Sequence, residues 1–196
     1  MLFRSGDLGD CTDPDLPPRL AALGYTHVIV RGSPARPLAR VVGGLDGLTA
    51  QRSTADSQLF AVSAPRQTVV TAAINGFYDR EGAGADTWRW MGSTGWWRVL
   101  NTSPEPVSAK LEINLEAFAA PRHLRVELDH QPLDSILVTA AGSTRTLGPF
   151  LLTTGEHLIG FRAVEPPESA DDRVHNGDTR RLSIRFGSAQ WHLAQQ

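Results

Sequence analysis

The stretch Lys110-Leu111-Glu112-Ile113-Asn114-Leu115-Glu116 decides the fold of the second part of this chain. Polar and apolar residues alternate at every step. Because successive side chains of a strand point to opposite faces of a sheet, this pattern predicts one packed face and one wet face. The same alternation recurs at 122–128, where Leu124 and Val126 flank Arg125. Both stretches therefore predict half-buried antiparallel strands.

Further short strands are predicted on either side of these two. Together the candidates are 68–74, 96–101, 109–117, 122–128, 134–139, 143–147, 150–152, 157–163 and 181–186. Turn residues separate them at Asn75-Gly76, 129–132, Ala141-Gly142, 154–156 and Pro166-Pro167. Short alternating strands at roughly ten-residue spacing predict a mainly β protein, an antiparallel β-sandwich of jelly-roll type over residues 67–196.

Residues 1–66 predict a small α/β segment in front of the sandwich. A helix at 19–23 ends at Gly24, a β-branched strand at 25–31 is expected to be buried, and a second helix covers 37–42. Two strands, at 48–52 and 58–62, complete the segment. His27 lies in the apolar strand, so we interpret it as a packed histidine rather than a ligand.

Composition excludes several classes of function. Hydrophobic residues make up 41% and charged residues 20% of the 196, which is typical of a folded globular protein. The formal net charge of -2 argues against a nucleic-acid partner. The single cysteine, Cys11, excludes an intrachain disulfide and a cysteine-rich zinc site. No apolar run approaches the ~20 residues of a membrane helix, and residues 1–16 lack the apolar stretch of a signal peptide, so we expect a soluble chain.

The segment 77–97 holds four of the five tryptophans. On a strand, Trp88 and Trp90 point to one face and Arg89 to the other. Such a pair is either part of a sandwich core, where burying each side chain contributes ~3 kcal/mol, or a platform on which a sugar ring stacks. The adjacent Trp96 and Trp97 are expected to lie one outside and one inside.

The candidate saccharide-binding residues are Tyr78, Glu81, Trp88, Arg89 and Trp90. Aromatic rings stack on the C–H face of a pyranose, while a carboxylate and a guanidinium hydrogen-bond its hydroxyl groups. The alternative, in which both indoles are buried in the core, stays open at this point.

The only metal-ligating candidates are Asp171, Asp172 and Asp178, whose oxygens suit Ca²⁺. Their spacing does not match a known calcium loop, and Asn176-Gly177 is a turn signal by itself. Pairing of Asp172 or Asp178 with a nearby arginine explains the charges equally well. We therefore expect no cofactor.

Catalytic patterns are weak. Glu81 and Asp86 are a candidate carboxylate pair for a glycoside hydrolase, but the glycine-rich residues between them do not fix the required separation. The chain contains neither a Gly-x-Ser-x-Gly nucleophile motif nor a phosphate-binding glycine loop. A non-catalytic role is the favoured hypothesis.

Motifs scattered along the chain are similar to those of a known protein family. They are 20–31, 76–92, 111–128, Gly148-Pro149-Phe150, Gly155-Glu156-His157 and 178–184. With these motifs the chain resembles the soluble C-terminal region of bacterial polytopic membrane proteins related to glycosyltransferases of the dolichyl-phosphate-mannose mannosyltransferase type. Its sandwich is similar to carbohydrate-binding-module jelly rolls. The chain contains no membrane helices and no transferase region, so transferase activity is not implied for these residues.

This resemblance implies an accessory domain on the extracytoplasmic face of the cell envelope. Its expected partners are a saccharide or glycan and the membrane-embedded part of the same parent protein. Two other hypotheses remain: a β-sandwich that binds a protein and no sugar, and a glycoside hydrolase.

Overall fold

The computed structural model describes residues 16–64, 67–83 and 86–194. The chain divides into two compact units, the first ending at Ala72 and the second beginning at Ala73. Residue 66, at the predicted domain boundary, and Cys11 lie outside the described residues. No described helix is both long enough and apolar enough to cross a bilayer.

The first unit is a three-stranded antiparallel sheet with two short helices. Its elements are α1 (Leu16–Ala22), β1 (His27–Arg31), α2 (Pro37–Gly43), β2 (Leu48–Ser53) and β3 (Ser57–Val62), with the strand order β1-β3-β2. Leu20, Val42 and Phe60 pack in its core. Gly24 ends α1 as predicted, with φ at 81°, and the N–H of Tyr25 donates to the carbonyl of Leu20 at 2.9 Å.

The prediction of a buried strand around His27 is wrong. In β1 only Val30 is buried, and Ile29 is 64% exposed. His27 is also exposed, and its ring forms a hydrogen bond with the Thr26 hydroxyl at 3.0 Å. The β-branched run indicated a strand correctly, but β1 is the edge strand of a small sheet that buries one face only.

The second unit consists mainly of strands. Its elements are β4 (Val69–Phe77), which crosses the boundary, β5 (Glu81–Ala83), β6 (Asp86–Asn101), β7 (Val107–Ala117), β8 (Arg122–Leu128), β9 (Gln131–Val138), β10 (Ser143–Leu152), β11 (Gly155–Ala163), β12 (Glu168–Ser169), α3 (Ala170–Val174), β13 (Arg181–Leu182) and β14 (Ile184–Leu193). All paired strands whose register is given are antiparallel.

The long strand β6 belongs to both layers of the sandwich. Its first half pairs with β14 and its second half with β11. The first layer is therefore β10-β7-β14-β6 and the second is β6-β11-β8-β9. This strand order is that of a jelly roll, so the predicted antiparallel sandwich is confirmed.

The core lies between the two layers. The stretch that predicted the fold is β7, where Leu111, Ile113 and Leu115 are fully buried and Glu112 is exposed. Across the core, β8 and β11 contribute buried residues such as Val126. Since each strand buries alternate residues, the others form the outer face of each layer, the face that points away from the core.

The predicted turn at Asn75-Gly76 is wrong, because both residues lie inside β4. Gly76 has φ at 77°, and a Cβ built there would lie 2.0 Å from the carbonyl oxygen of Thr94 in β6. The glycine therefore serves a close approach of two backbones rather than a chain reversal.

Candidate functional site

The five predicted saccharide-binding residues lie together where β4, β5 and the first half of β6 meet. The N–H of Tyr78 donates to the carbonyl of Trp90 at 2.8 Å, and Arg89 Nη1 donates to the carbonyl of Tyr78 at 3.2 Å. Glu81 in β5 is directly opposite Trp88 in β6. All five side chains are half-buried.

Arg180 holds the polar members of this group. Its guanidinium forms an ion pair with Glu81 at 2.5 Å and a second one, through Nε and Nη2, with Asp178 at 2.6–3.0 Å. Its Cζ also lies 5.4 Å from the ring centroid of Tyr78. The hydrogen bonds from Arg180 hold the pKa of Asp178 below its usual value. Glu81 and Tyr78 are thus anchored to the segment that follows α3.

The Tyr78 hydroxyl group is engaged as well. It donates to the carbonyl of Arg181 at 3.1 Å and accepts from the N–H of the same residue at 3.2 Å. Tyr78 therefore fixes β13 against the end of β4, and its hydroxyl group already has both a donor and an acceptor.

Trp88 and Trp90 lie on the outer face of the first layer. Trp90 is directly opposite Arg185 in the β14–β6 pair, and Arg185 stands between the buried residues Ile184 and Phe186. The side chains of Trp90 and Arg185 therefore share the outer face, as does Trp88 two residues away. Arg89 is opposite Phe186 and points the other way, as the alternation predicted.

Neither indole belongs to the core, so the core alternative is wrong for both. Trp90 meets Phe118 edge to face, with ring centroids 5.5 Å apart and planes at 89°. Trp97, by contrast, is 8% exposed and packs edge to face on Phe161, while its neighbour Trp96 is half-buried. The predicted split of this adjacent pair, one inside and one outside, is confirmed.

The Trp88 ring lies between the backbone of β5 and the guanidinium group of Arg185. A Cβ built on Gly82 would lie 2.7 Å from Cζ3 of Trp88, so the indole covers the backbone of β5. On the ring lies Arg185, whose Cζ is 5.0 Å from the ring centroid, a cation–π contact. The Trp88 Nε1 atom is buried and donates to no described protein acceptor.

Two residues of this face, Arg185 and Glu116, were not predicted from the sequence as site residues. In the sheet register Arg185 is opposite Trp90 on one side and opposite Glu116 on the other, and Arg185 Nη2 forms an ion pair with Glu116 Oε2. Both charged side chains are about one third exposed, at 31% and 28%. We call Trp88, Trp90, Arg185 and Glu116 the indole row. Both charged residues lie at polar positions of predicted strands, but the pattern does not tell which strands are neighbours.

The remaining candidates have other partners. Asp171 Oδ1 accepts from the N–H of Gly177 at 2.6 Å, and Asp178 is paired with Arg180. Among the described residues, no three metal-ligating side chains come close enough together to hold a metal ion. Asp172 lies in the first turn of α3, whose N-cap is Ser169.

No protein-family model and no curated protein sequence matches this chain. It is similar to a family two carbohydrate esterase from Clostridium thermocellum in complex with cellohexaose (12% identity, TM-score 0.38, 64% of this chain and 33% of that one). It is also similar to a Podospora anserina GH26-CBM35 β-(1,4)-mannanase (12%, 0.41, 87% and 28%). A third likeness is to the C-terminal CBM6 of the laminarinase LamC from Zobellia galactanivorans (10%, 0.35, 61% and 99%). The chain spans a third or less of the first two, and these values are too low to assign a ligand or an activity.

Proposed function

We propose that the second unit is a non-catalytic saccharide-binding domain and that the indole row is its binding surface. The observation that carries this proposal is the alignment of an indole, a guanidinium and a carboxylate across three neighbouring strands, at Trp90, Arg185 and Glu116. An aromatic face gives a sugar ring a stacking surface, and the charged pair supplies hydrogen-bond donors and acceptors for its hydroxyl groups.

The ion pair prepares this surface for a ligand. Because Glu116 fixes Arg185 in place, a sugar that binds there needs little ordering of long side chains, whose immobilisation otherwise costs about 0.5–1.5 kcal/mol each. The Trp90 ring is held by Phe118 edge to face and is therefore also preorganised.

Isothermal titration calorimetry with neutral hexasaccharides (cello-, manno- and isomalto-oligosaccharides) tests the proposal. We expect binding to at least one probe, and a loss of tenfold or more in Trp90→Ala and in Arg185→Gln. Arg98→Gln is the matched control for Arg185→Gln, since Arg98 is a partly exposed arginine that is likewise paired with a glutamate, Glu156. No binding to any neutral probe, or equal weakening by Arg98→Gln, would overturn the assignment.

A second candidate is an interaction module with no sugar ligand. It is favoured by the engagement of Tyr78, Glu81 and Arg180 in internal contacts, which leaves the sequence-predicted polar groups committed to the fold. Under this alternative, Trp88→Ala and Trp90→Ala lower the free energy of unfolding or abolish self-association, while every saccharide leaves the calorimetric baseline unchanged.

We also propose that the parent protein takes part in glycan assembly at the extracytoplasmic face of the cell envelope, without a resident cofactor. The sequence resemblance supports this setting. The test is to follow the full-length product in fractionated cells with an antibody against this domain: recovery in the membrane fraction, with the domain accessible to protease from outside, is the expected result, and exclusive recovery in the cytosol would contradict it.

A further inference from the structure

Two arginines stand directly opposite each other on the outer face of the second layer. In the β11–β8 pair, Arg162 is the register partner of Arg125. Both side chains are exposed and share the outer face, because each lies between buried neighbours on its strand. Like charges in this position repel each other across the strands. Among the described residues, neither guanidinium forms an ion pair with a carboxylate.

Two carboxylates at the ends of β11, Glu156 and Glu165, are already paired with other groups. Glu165 accepts from the ring of His123 at 2.7 Å, and Glu156 lies 3.2 Å from Arg98. The hydrogen bond from His123 holds the pKa of Glu165 below its usual value, so this carboxylate stays ionised and paired. Neither of these two carboxylates compensates the positive charge of the arginine pair, and among the described residues the neighbouring Glu127 forms no ion pair with it.

Beside the arginine pair lie the aromatic ring of Trp96 and a position without a side chain, Gly160. In the next row of the same face, Trp96 is opposite Gly160, and Gly160 is opposite Glu127. The missing side chain at Gly160 leaves room that the Glu127 side chain enters, since a Cβ built there would lie 2.5 Å from Glu127 Oε1. The Trp96 indole leans on His130, with ring centroids 5.1 Å apart.

We propose that Arg125, Arg162 and Trp96 form a second binding site, for an anionic saccharide that carries carboxylate or sulfate groups. Guanidinium groups match both anions with two parallel hydrogen bonds, and the indole offers a face to the sugar ring. Glu127 lies beside the site and forms no ion pair within the described part of the chain. It repels an anionic ligand, and its flexible side chain can leave Gly160 when a ring enters. This site lies on the opposite layer from the indole row and does not depend on it.

The test uses hexagalacturonate, its fully methyl-esterified form and a sulfated hexasaccharide in calorimetric titrations. The ester removes the charge and keeps the sugar chain. We expect an anionic probe to bind, the ester to bind at least tenfold more weakly, and affinity for the anion to fall as salt is raised. Arg125→Gln with Arg162→Gln is expected to weaken anion binding at least tenfold, whereas Glu127→Gln strengthens it severalfold.

Four results would overturn the proposal: no binding of either anionic probe, equal affinity for acid and ester, unchanged anion affinity in the double arginine variant, or weaker binding in Glu127→Gln. A general loss of structure is separated from loss of the site by the thermal melt, which exposed substitutions of this kind leave almost unchanged. Trp90→Ala distinguishes the two proposed sites, since it is expected to weaken neutral-sugar binding tenfold or more and to leave hexagalacturonate binding intact.

Discussion

Replacing Asp129 by asparagine tests the charge pair between the half-exposed Asp129 and the buried His157, which connects the β8–β9 turn to β11. The His157 side chain is 8% exposed, and both of its ring nitrogens face acceptors. Nδ1 lies 2.7 Å from Asp129 Oδ2, and Nε2 lies 2.9 Å from the carbonyl oxygen of Thr153. Only the imidazolium form donates from both nitrogens. Asp129 also accepts from the N–H of Leu158 at 2.8 Å.

These contacts shift the pKa values of both His157 and Asp129. Burial lowers the pKa of His157, but the hydrogen bonds to Asp129 and to the Thr153 carbonyl, with the attraction of the carboxylate, outweigh burial and raise this pKa above its ordinary value of 6.5. Burial raises the pKa of Asp129, but its hydrogen bonds to His157 and Leu158 and the nearby positive charge bring this pKa below 3.8. The pair therefore stabilises the fold fully between about pH 4 and pH 6.5.

The stabilisation by the Asp129–His157 pair is lost both above and below this pH range. It decreases as pH rises through the raised pKa of His157, and as pH falls through the lowered pKa of Asp129. A charged hydrogen bond contributes about 1.5–3 kcal/mol, and the half-exposed Asp129 reduces this to about 1 kcal/mol through solvent screening. In Asp129→Asn the amide can donate to the neutral ring, so the variant is expected to lose about 1 kcal/mol at pH 6 and almost nothing at pH 9.

Urea unfolding at pH 5, 6, 7, 8 and 9 measures this difference. The wild type should lose stability as pH rises above neutrality, and Asp129→Asn should show a flatter dependence over the same interval. Parallel curves for the two proteins, or a variant less stable by the same amount at pH 9 as at pH 6, would show that the reasoning about the imidazolium is wrong.

Gly76→Ala is expected to lower the free energy of unfolding by at least about 2 kcal/mol. Residue 76 has a left-handed backbone conformation, and a β-carbon there would collide with the Thr94 carbonyl. Arg122→Met should lower the free energy of unfolding by about 3 kcal/mol. The buried guanidinium donates to the Pro166 carbonyl at 2.5 Å, and the substitution would leave this carbonyl without a donor. Trp97→Ala should cost about 3–5 kcal/mol by opening a cavity among packed aromatic rings. All three are measured as shifts of the free energy of unfolding in urea.

Gly177→Ala is the control for the first of these substitutions. Gly177 has the same φ of 77° but nothing within 4 Å of a built β-carbon, so it carries the backbone strain without the collision. Equal losses in the two glycine variants would refute the close-approach explanation. For Arg122 and Trp97, losses below about 1 kcal/mol, the size of an ordinary surface change, would contradict their burial.

The alternation in β7 and β8 was enough to predict the antiparallel sandwich, because the period of two follows directly from strand geometry. The same rule divided Trp96 from Trp97 correctly. It failed at Asn75-Gly76, where a sequence typical of a turn instead allows two backbones to approach. Local residue preferences describe one strand at a time, so a requirement imposed by a neighbouring strand is invisible to them.

The candidate site shows the same limit. Trp88 and Trp90 were placed on one face from their spacing alone, but the core alternative stayed open until the structure showed both half-buried. Arg185 and Glu116 meet them only because β14 lies between β6 and β7. Likewise, Arg180 reaches Glu81 over 99 positions of sequence, a contact that no local pattern records.

The most direct measurement follows the five indole N–H signals by NMR during titration with neutral hexasaccharides. We predict that the signals of Trp88 and Trp90 move in proportion to ligand bound, while that of the buried Trp97 stays in place. Unchanged Trp88 and Trp90 signals at saturating concentrations of all three probes, or movement confined to the other indoles, would contradict it.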